Sequence, residues 1–480
     1  MSRHPLVLAL AAVISTSALL PAAAHAEDLL QTYELARAGD PQFSGAESTR
    51  LAIREGSVQA RSALLPQIGA DATMNRNRST NPGESTIDPD NDPTTPNDIF
   101  ISRSKSETTT RDLSVNLRQM VYDHSNFTRL KSANALTEAA DYQLDSAADA
   151  LITRTSDAYF QVLVQLESLA AAEAAETALK KQFDFASKRL EVGLAPITDV
   201  HEARAQYDSA RANTILVRNA VEDSYQALRE LTGQPVTNLK GLPEDFKPTL
   251  PESTGIDQWV DSAATNNPAL KAKELQLQSA EADVGTARAG HYPTLYLNGG
   301  YGDTKTWGDN NFSSTGGPFS SDIDNHNYGP FIGVTLSVPI YTGGFTQSTV
   351  RQALARRDVT EDELTQQKRA LDRNTRNAYQ TLVAGISEVE ARRLALVSAR
   401  AAYDASQVGL EVGTRTVLDV LTNQQNLFRA QLAYAQTRYN FLQARLLLEQ
   451  AAGTLDVDDM KEINALLTVD TEAKLQTPLQ

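Results

Sequence analysis

Hydrophobic positions alternate with polar ones in two places along the chain and follow helical spacing over most of the rest. Leu113-Ser114-Val115-Asn116-Leu117-Arg118 and Ile332-Gly333-Val334-Thr335-Leu336-Ser337-Val338 place apolar residues at every second position. That is the pattern of strands with one apolar face. Weaker alternation near 66–75 and 293–302 predicts a partner strand before each. The stretches between, about 77–107 and 303–327, are crowded with Asn, Asp, Ser, Thr, Gly and Pro and are expected as long polar loops. A helical pattern of about two dozen residues precedes each strand pair, opening at Pro41 or Pro268, where a proline suits a helix start.

A much longer helical pattern follows each pair. Phe127 to Val192 contains neither Pro nor Gly, and Phe345 to Val412 contains no Pro and only Gly385 and Gly409. As helices these runs would each be roughly 100 Å long. Helices of that length need helical neighbours along their whole length. A shorter helix follows each, to about Leu231 or Ala451, before a capping glycine, Gly233 or Gly453.

The two series are one pattern used twice. Gly193 and Gly413, Asp199 and Asp419, and Gly233 and Gly453 all stand 220 residues apart, and Pro41 and Pro268 stand 227 apart. The spacing changes only across polar segments. This predicts a first structural repeat over 27–235, with strand pair 66–122 and long helix hairpin 125–232. A second repeat covers 257–455, with strand pair 293–341 and hairpin 345–452. Between them lies a linker over 236–256 containing LKGLPEDFKPTLPES, and a tail over 456–480 follows.

The N-terminus narrows the compartment. Arg3, the apolar run Leu6 to Leu20 and Ala24-His25-Ala26 read as a secretory signal peptide over 1–26. No later stretch is long and apolar enough for a membrane helix. A formal net charge of −16 argues against nucleic acid, which needs a basic footprint. The absence of cysteine rules out disulfides and thiolate metal sites. An exported chain of this kind is periplasmic, secreted or part of an outer-membrane barrel.

Four strands cannot close a membrane barrel, for which about eight are the minimum. Other chains must complete the sheet, or the strands form a small soluble one. Strands of about nine to eleven residues with an apolar face, a long polar loop at one end and helix at the other, favour the membrane. The helices carry small residues such as Ala170, Ala171 and Ala172 and polar ones such as Gln161, Gln165 and Glu173. That suits a thin wall with water on both sides, although an antiparallel bundle has the same periodicity.

No catalytic constellation is present. His201-Glu202 lacks the second histidine of a zinc-protease helix, and neither a nucleophile elbow nor a phosphate loop occurs. The expectation is a protein that is no enzyme and uses no cofactor or metal.

The remaining feature is the duplicated interruption, LEVGLAPITDV at 190–200 and LEVGTRTVLDV at 410–420. Gly193 and Gly413 suit a left-handed helix end, and Pro196 suits the first turn of the next helix. Thr416-x-x-Asp419 resembles a capping box with Asp in the Glu role. On that reading Asp199 and Asp419 are helix-start residues facing the positive end of a helix dipole.

Nearly the whole mature chain resembles the TolC family of outer-membrane exit ducts. EDLLQTYELARAGDP is similar to the family's N-terminal helix, LLPQI and HYPTL to its strand entries, and QMVYDHSNF and VPIYTGGF to its strand-to-helix crossings. VGLAPITDVHEARAQYD and VGTRTVLDVLTNQQNLFRAQLAYAQTRYNFLQARLLLEQAAGTL are the closest parts.

The resemblance implies a mixed α and β fold in a homotrimer, with a twelve-stranded outer-membrane barrel, four strands per chain, in outer-membrane lipid. Twelve helices would continue it as a periplasmic tunnel, girdled by the linker and tail. It implies adaptor docking at Val192, Gly193, Leu194, Val412, Gly413 and Thr414. It also implies a gate network including Thr198, Asp199 and Arg415, with Leu410 where the family has tyrosine. Asp419 matches the first of two aspartates lining the pore constriction, and Thr422 stands at the second. One acidic ring is expected where the family has two, and an acidic ring favours cations.

The function implied is a passive gated exit duct. It would carry drugs, small molecules or proteins for a tripartite efflux pump or type I secretion system. A periplasmic adaptor (membrane fusion) protein and an inner-membrane RND or ABC transporter would be its partners. The alternative is a structural periplasmic coiled-coil protein without transport, which leaves the alternating strands unexplained.

Overall fold

The computed structural model describes residues 28–87, 98–194, 196–250, 255–314 and 317–470. The expected signal peptide and the end of the tail lie outside the described residues. The elements are α1 (Leu29–Gly39), α2 (Pro41–Ser62), β1 (Gln67–Ile87), β2 (Asp98–Tyr122), α3 (His124–Glu191), α4 (Ile197–Thr232) and β3 (Lys240–Gly241). After these come α5 (Ile256–Asn266), α6 (Pro268–Ala289), β4 (Thr294–Ser314), β5 (Gly317–Ser337), α7 (Phe345–Glu411), α8 (Val417–Ala452), α9 (Val457–Leu466) and β6 (Val469–Asp470). Helices α1 to α4 have 11, 22, 68 and 36 residues. Helices α5 to α8 repeat the order with 11, 22, 67 and 36. The glycines expected to close α4 and α8 do so in the left-handed conformation, Gly233 at φ 69° and Gly453 at φ 70°.

Contacts divide the chain into two compact units. One comprises residues up to 46, 145–267 and 370 onward; the other comprises 47–144 and 268–369.

The second unit is built on a four-stranded antiparallel sheet in the order β1-β2-β4-β5. Residues paired across antiparallel strands point to the same face, so the register sorts the side chains. One face carries the rungs Ile68–Leu117–Gly299–Ile332, Ala70–Val115–Tyr301–Pro330 and Ala72–Leu113–Asp303–Tyr328, with Leu297–Val334 and Leu295–Leu336 at the helix end. The other carries Gly69–Asn116–Gly300–Phe331, Asp71–Ser114–Gly302–Gly329 and Thr73–Asp112–Thr304–Asn327. Glycine is needed where the polar face is crowded: a Cβ on Gly300 would lie 2.3 Å from the Val115 carbonyl oxygen.

The polar stretches expected as loops are mostly strand. β1 continues to Ile87 and β2 begins at Asp98, while β4 runs to Ser314 and β5 begins at Gly317. Cross-strand polar pairs hold these extensions, among them Thr110–Thr306 at 3.1 Å and Ser104–Asn310 at 2.9 Å. Such pairs stabilise a ladder without apolar alternation. Helices α3 and α6 of this unit meet through small groups. Thr128 and Thr286 hydroxyls are 2.7 Å apart, Ser132 and Ser279 are 2.8 Å apart, and Gly285 lies against Thr128.

The first unit is organised around a buried polar clamp. Arg438, 3% exposed, donates through Nη2 to both carboxylate oxygens of Glu167 at 2.9 and 2.8 Å, and through Nη1 to the Pro243 carbonyl at 2.8 Å. The Tyr439 hydroxyl donates to Glu167 at 3.0 Å and accepts from the Leu242 N–H at 3.3 Å. Tyr159 and Tyr434 donate to the carbonyls of Lys240 and Glu244, each at 3.0 Å. Four side chains from α3 and α8 thus fix residues 240–244 of the linker. The linker then pairs with the tail, Lys240 with Asp470 and Gly241 with Val469.

A second buried titratable group lies near the end of α8, facing α9. Glu449 is 5% exposed and accepts from Arg445 at 3.0 Å, while its other oxygen has no partner among the described residues. Burial, then the nearby Asp459 charge, pushes its carboxyl up to about 7 from 4.5. Asp149 on α3 is also pushed up to about 7, by burial and then by Asp145. Each group holds a proton in the folded chain at a pH where the unfolded chain has lost it. Its stabilising effect is therefore present in acid and lost as pH rises towards about 7. The melting temperature of the detergent-solubilised protein is expected to fall between pH 5 and pH 8, and Glu449→Gln to flatten that slope. A melting temperature rising over the same range would contradict this.

Candidate channel mouth and membrane face

Both helical interruptions lie in the first unit and share one construction. α3 ends in a turn with Gly193 at φ 75°, where the Leu194 N–H donates to the Arg189 carbonyl at 2.8 Å. α7 ends in a turn with Gly413 at φ 77°, where the Thr414 N–H donates to the Gly409 carbonyl at 2.8 Å. Each is a Schellman-type closure that only glycine enters without strain. The turns hold apolar side chains out in solvent: Val192, Leu194 and Val412 are each 68% exposed.

The restarts differ. Pro196 is the N-cap of α4, one position earlier than expected, and makes no side-chain cap bond. Thr198 donates to Asp199 at a long 3.5 Å. At α8 the capping box forms fully. The Asp419 N–H donates to the Thr416 hydroxyl at 3.2 Å, and Asp419 Oδ2 accepts from the Thr416 N–H and hydroxyl, both at 2.9 Å. The Thr416 N–H, then the Thr416 hydroxyl, hold the Asp419 carboxyl below the usual carboxylate range. It is therefore firmly anionic at neutral pH.

Thr422 is exposed one turn further along α8. Leu410 is half-buried, and the Arg415 side chain packs over Gly409, where a Cβ would meet its Cγ at 2.6 Å. Among the described residues Arg415 makes no ion pair within the chain, and Asp199 meets only Thr198. Within one chain the expected gate residues are therefore not joined to one another. Helices α4 and α8 are bridged instead by Gln425, which donates to Gln206 at 2.8 Å, a link with no signal at sequence level beyond two polar residues.

The apolar face of the sheet is the other functional surface. Ile332 is 81% exposed and Val334 67%, with Ile68, Val115 and Leu336 exposed beside them. From Leu336 to Tyr328 the band spans nine residues, about 25–30 Å of strand, which suits the hydrocarbon core of a membrane. No helix among the described residues is long and apolar enough to cross a membrane.

Comparison with known proteins decides what carries these two surfaces. The family profile described as outer membrane efflux protein matches residues 32–234 and 259–454. The chain belongs to the outer membrane efflux protein family. It is 32% identical to the outer membrane protein TolC of Vibrio cholerae, over 94% of this chain and 96% of that one. It is 27% identical to the alkaline protease secretion protein AprF of Pseudomonas aeruginosa, over 92% and 88%. In fold it is similar to the outer-membrane channel OprN, with a TM-score of 0.69, covering 89% of this chain and 90% of that one at 20% identity.

As an outer membrane efflux protein, the chain is an outer-membrane exit channel with a periplasmic helical extension. Members of this family are channels, not enzymes, and work as components of tripartite efflux pumps and secretion systems. A purely structural periplasmic coiled coil does not account for the exposed aliphatic sheet.

Proposed function

We propose that three copies of this chain join edge to edge, β5 of one to β1 of the next, into a twelve-stranded barrel. The long helices of the same three copies, two hairpins from each, form the periplasmic tunnel below it. The observation that carries this reading is the four-stranded sheet with two open edges and one aliphatic, solvent-exposed face. Such a sheet presents unpaired backbone groups at both edges, and within a membrane only a closed barrel satisfies them. The recurrence of the element order supports an internal duplication, with repeats at 27–235 and 257–455 around the 236–256 linker. The pairing of Lys240 with Asp470 supports a belt made from the linker and tail.

The duct is passive and opens at its periplasmic mouth. The exposed Val192-Gly193-Leu194 and Val412-Gly413-Thr414 turns are the docking points for a periplasmic adaptor. Their exposed apolar side chains on a rigid backbone closure suit burial against a partner. Thr198, Asp199, Leu410 and Arg415 form the gate between neighbouring copies. Arg415, without an ion pair among the described residues of its own chain, is available to a neighbour's carboxylate. An inner-membrane RND or ABC transporter supplies energy and cargo, whether drugs, other small molecules or protein.

At the constriction Asp419 forms the single acidic ring and Thr422 an uncharged one. Because Asp419 also caps α8, alanine would remove charge and cap together. Asparagine keeps an acceptor for the Thr416 N–H and removes only the charge. In planar-bilayer recordings the wild-type trimer is expected to favour cations, and Asp419→Asn to lose most of that preference with the helix start intact. Unchanged selectivity would rule out the ring.

A further inference from the structure

The two faces of the sheet differ beyond the apolar band in a way that transport does not require. On the face continuous with the band, the first rung past Tyr328 is Met74–Arg111–Lys305–His326, and the next is Arg76–Thr109–Trp307–Asp324. At the same heights the opposite face carries Asn75–Thr110–Thr306–Asn325 and Asn77–Thr108–Gly308–Ile323, without a charge. A ribbon standing in water on both sides gains nothing by confining its charges to one side. The neighbour on the charged side is different, and the heights say what it is. Tyr301 and Tyr328 lie below the basic rung and Trp307 above it. Aromatic side chains of this kind mark the level of lipid headgroups.

The basic rung is organised. Arg111 Nη2 donates to Asp303 Oδ1 at 3.0 Å, and His326 Nε2 lies 3.1 Å from Asp303 Oδ2. One carboxylate thus holds the Arg111 guanidinium and the His326 ring at one height on strands β2 and β5. Lys305 between them reaches Asp324 at 3.6 Å. Arg111, Lys305 and His326 remain 42%, 40% and 44% exposed. Arg76, paired with Glu107, is 72% exposed. The acidic rung Arg78–Glu107–Asp309–Asp322 lies two rungs further out, about 13 Å at strand spacing. The rung just inside carries one charge, Asp303, which Arg111 engages, so the first rung with more than one charged side chain is the basic one.

We propose that Arg76, Arg111 and Lys305 form a collar that binds the phosphate groups of an anionic lipid in the outer leaflet, with His326 and Asp303 positioning Arg111. Guanidinium groups grip phosphate through paired N–H donors, and the aliphatic rungs below take the acyl chains of the same molecule. The proposal rests on the aliphatic face meeting lipid. Outer-membrane fractionation of each variant tests that reading separately from the collar.

The experiment is native mass spectrometry of the purified full-length assembly in detergent, titrated with diphosphoryl lipid A, with phosphatidylcholine as the uncharged-headgroup control. Each cation near an anionic headgroup contributes about five-fold. The combined Arg76→Gln, Arg111→Gln and Lys305→Gln variant is expected to bind lipid A on the order of a hundredfold more weakly. Arg118→Gln, on the opposite face, should bind as wild type. If the triple variant fails to assemble, Arg76→Gln and Lys305→Gln singly decide the matter, each with a loss of about five-fold. Wild-type binding by the neutral variants, or an equal loss in Arg118→Gln, would overturn the collar. Inorganic phosphate displacing lipid A at equal concentration would reduce it to a simple anion site and overturn the lipid assignment.

Discussion

Arg438→Ala is expected to be the most damaging single truncation in the helical unit. It removes both Nη2 bonds to Glu167 and the bond to the Pro243 carbonyl, and leaves Glu167 facing the buried Tyr439 hydroxyl without a countercharge. Breaking a fully buried pair from one side costs about 3–5 kcal/mol; Glu167 keeps a quarter of its side chain exposed, so the cost here falls at or below the lower end of that range. The loss should appear first in the linker. Pro243 and Leu242 are tied to α8 through Arg438 and Tyr439, so residues 236–250 should become sensitive to limited proteolysis before the helices do. Replacing both partners, Arg438→Met with Glu167→Leu, should be milder than either single change, since no orphan charge remains. A double variant worse than both singles would show that the clamp acts through geometry rather than paired charge. Tyr439→Phe, which keeps the ring against Phe160 at 5.8 Å and removes the hydroxyl, should cost about 1 kcal/mol.

This clamp was hidden in the sequence for a physical reason. Arg438 and Tyr439 sit in AQTRYNF, which has the composition of a solvated helix face. Their burial depends on a linker nearly 200 residues away folding back over them. The two-residue strands β3 and β6 likewise carry no local pattern. Helix boundaries were legible because local chemistry sets them, with Pro41 and Pro268 at starts and Gly233 and Gly453 at ends. The outer halves of the strands were not. There both faces are polar, and the alternation is of charged with uncharged side chains, such as Arg76 and Asn77 or Lys305 and Thr306. Hydropathy does not register that difference. At the mouth, the Thr416–Asp419 spacing announced its capping box. The proposed gate contacts lie between copies and leave no spacing within one chain.

The sharpest test of the membrane face is an arginine at Ile332. This residue shares a rung with Ile68, Leu117 and Gly299, midway up the aliphatic band, and is 81% exposed in the single chain. In water such a site would accept arginine without penalty. Facing hydrocarbon at mid-depth, arginine costs about 2–4 kcal/mol per copy, and an assembly of three copies would bear it three times. Ile332→Arg is therefore expected to abolish heat-modifiable assemblies in the outer-membrane fraction. Thr335→Arg is the control, since Thr335 pairs with Tyr296 on the polar face and its side chain would point into water inside a closed barrel. It should assemble normally and change only conductance. Tolerance of arginine at both positions would mean that the aliphatic face is not in lipid. Loss at Thr335 with tolerance at Ile332 would mean that the faces are reversed. Either result would also remove the headgroup level on which the basic collar depends, because the collar is positioned by its height above this same band.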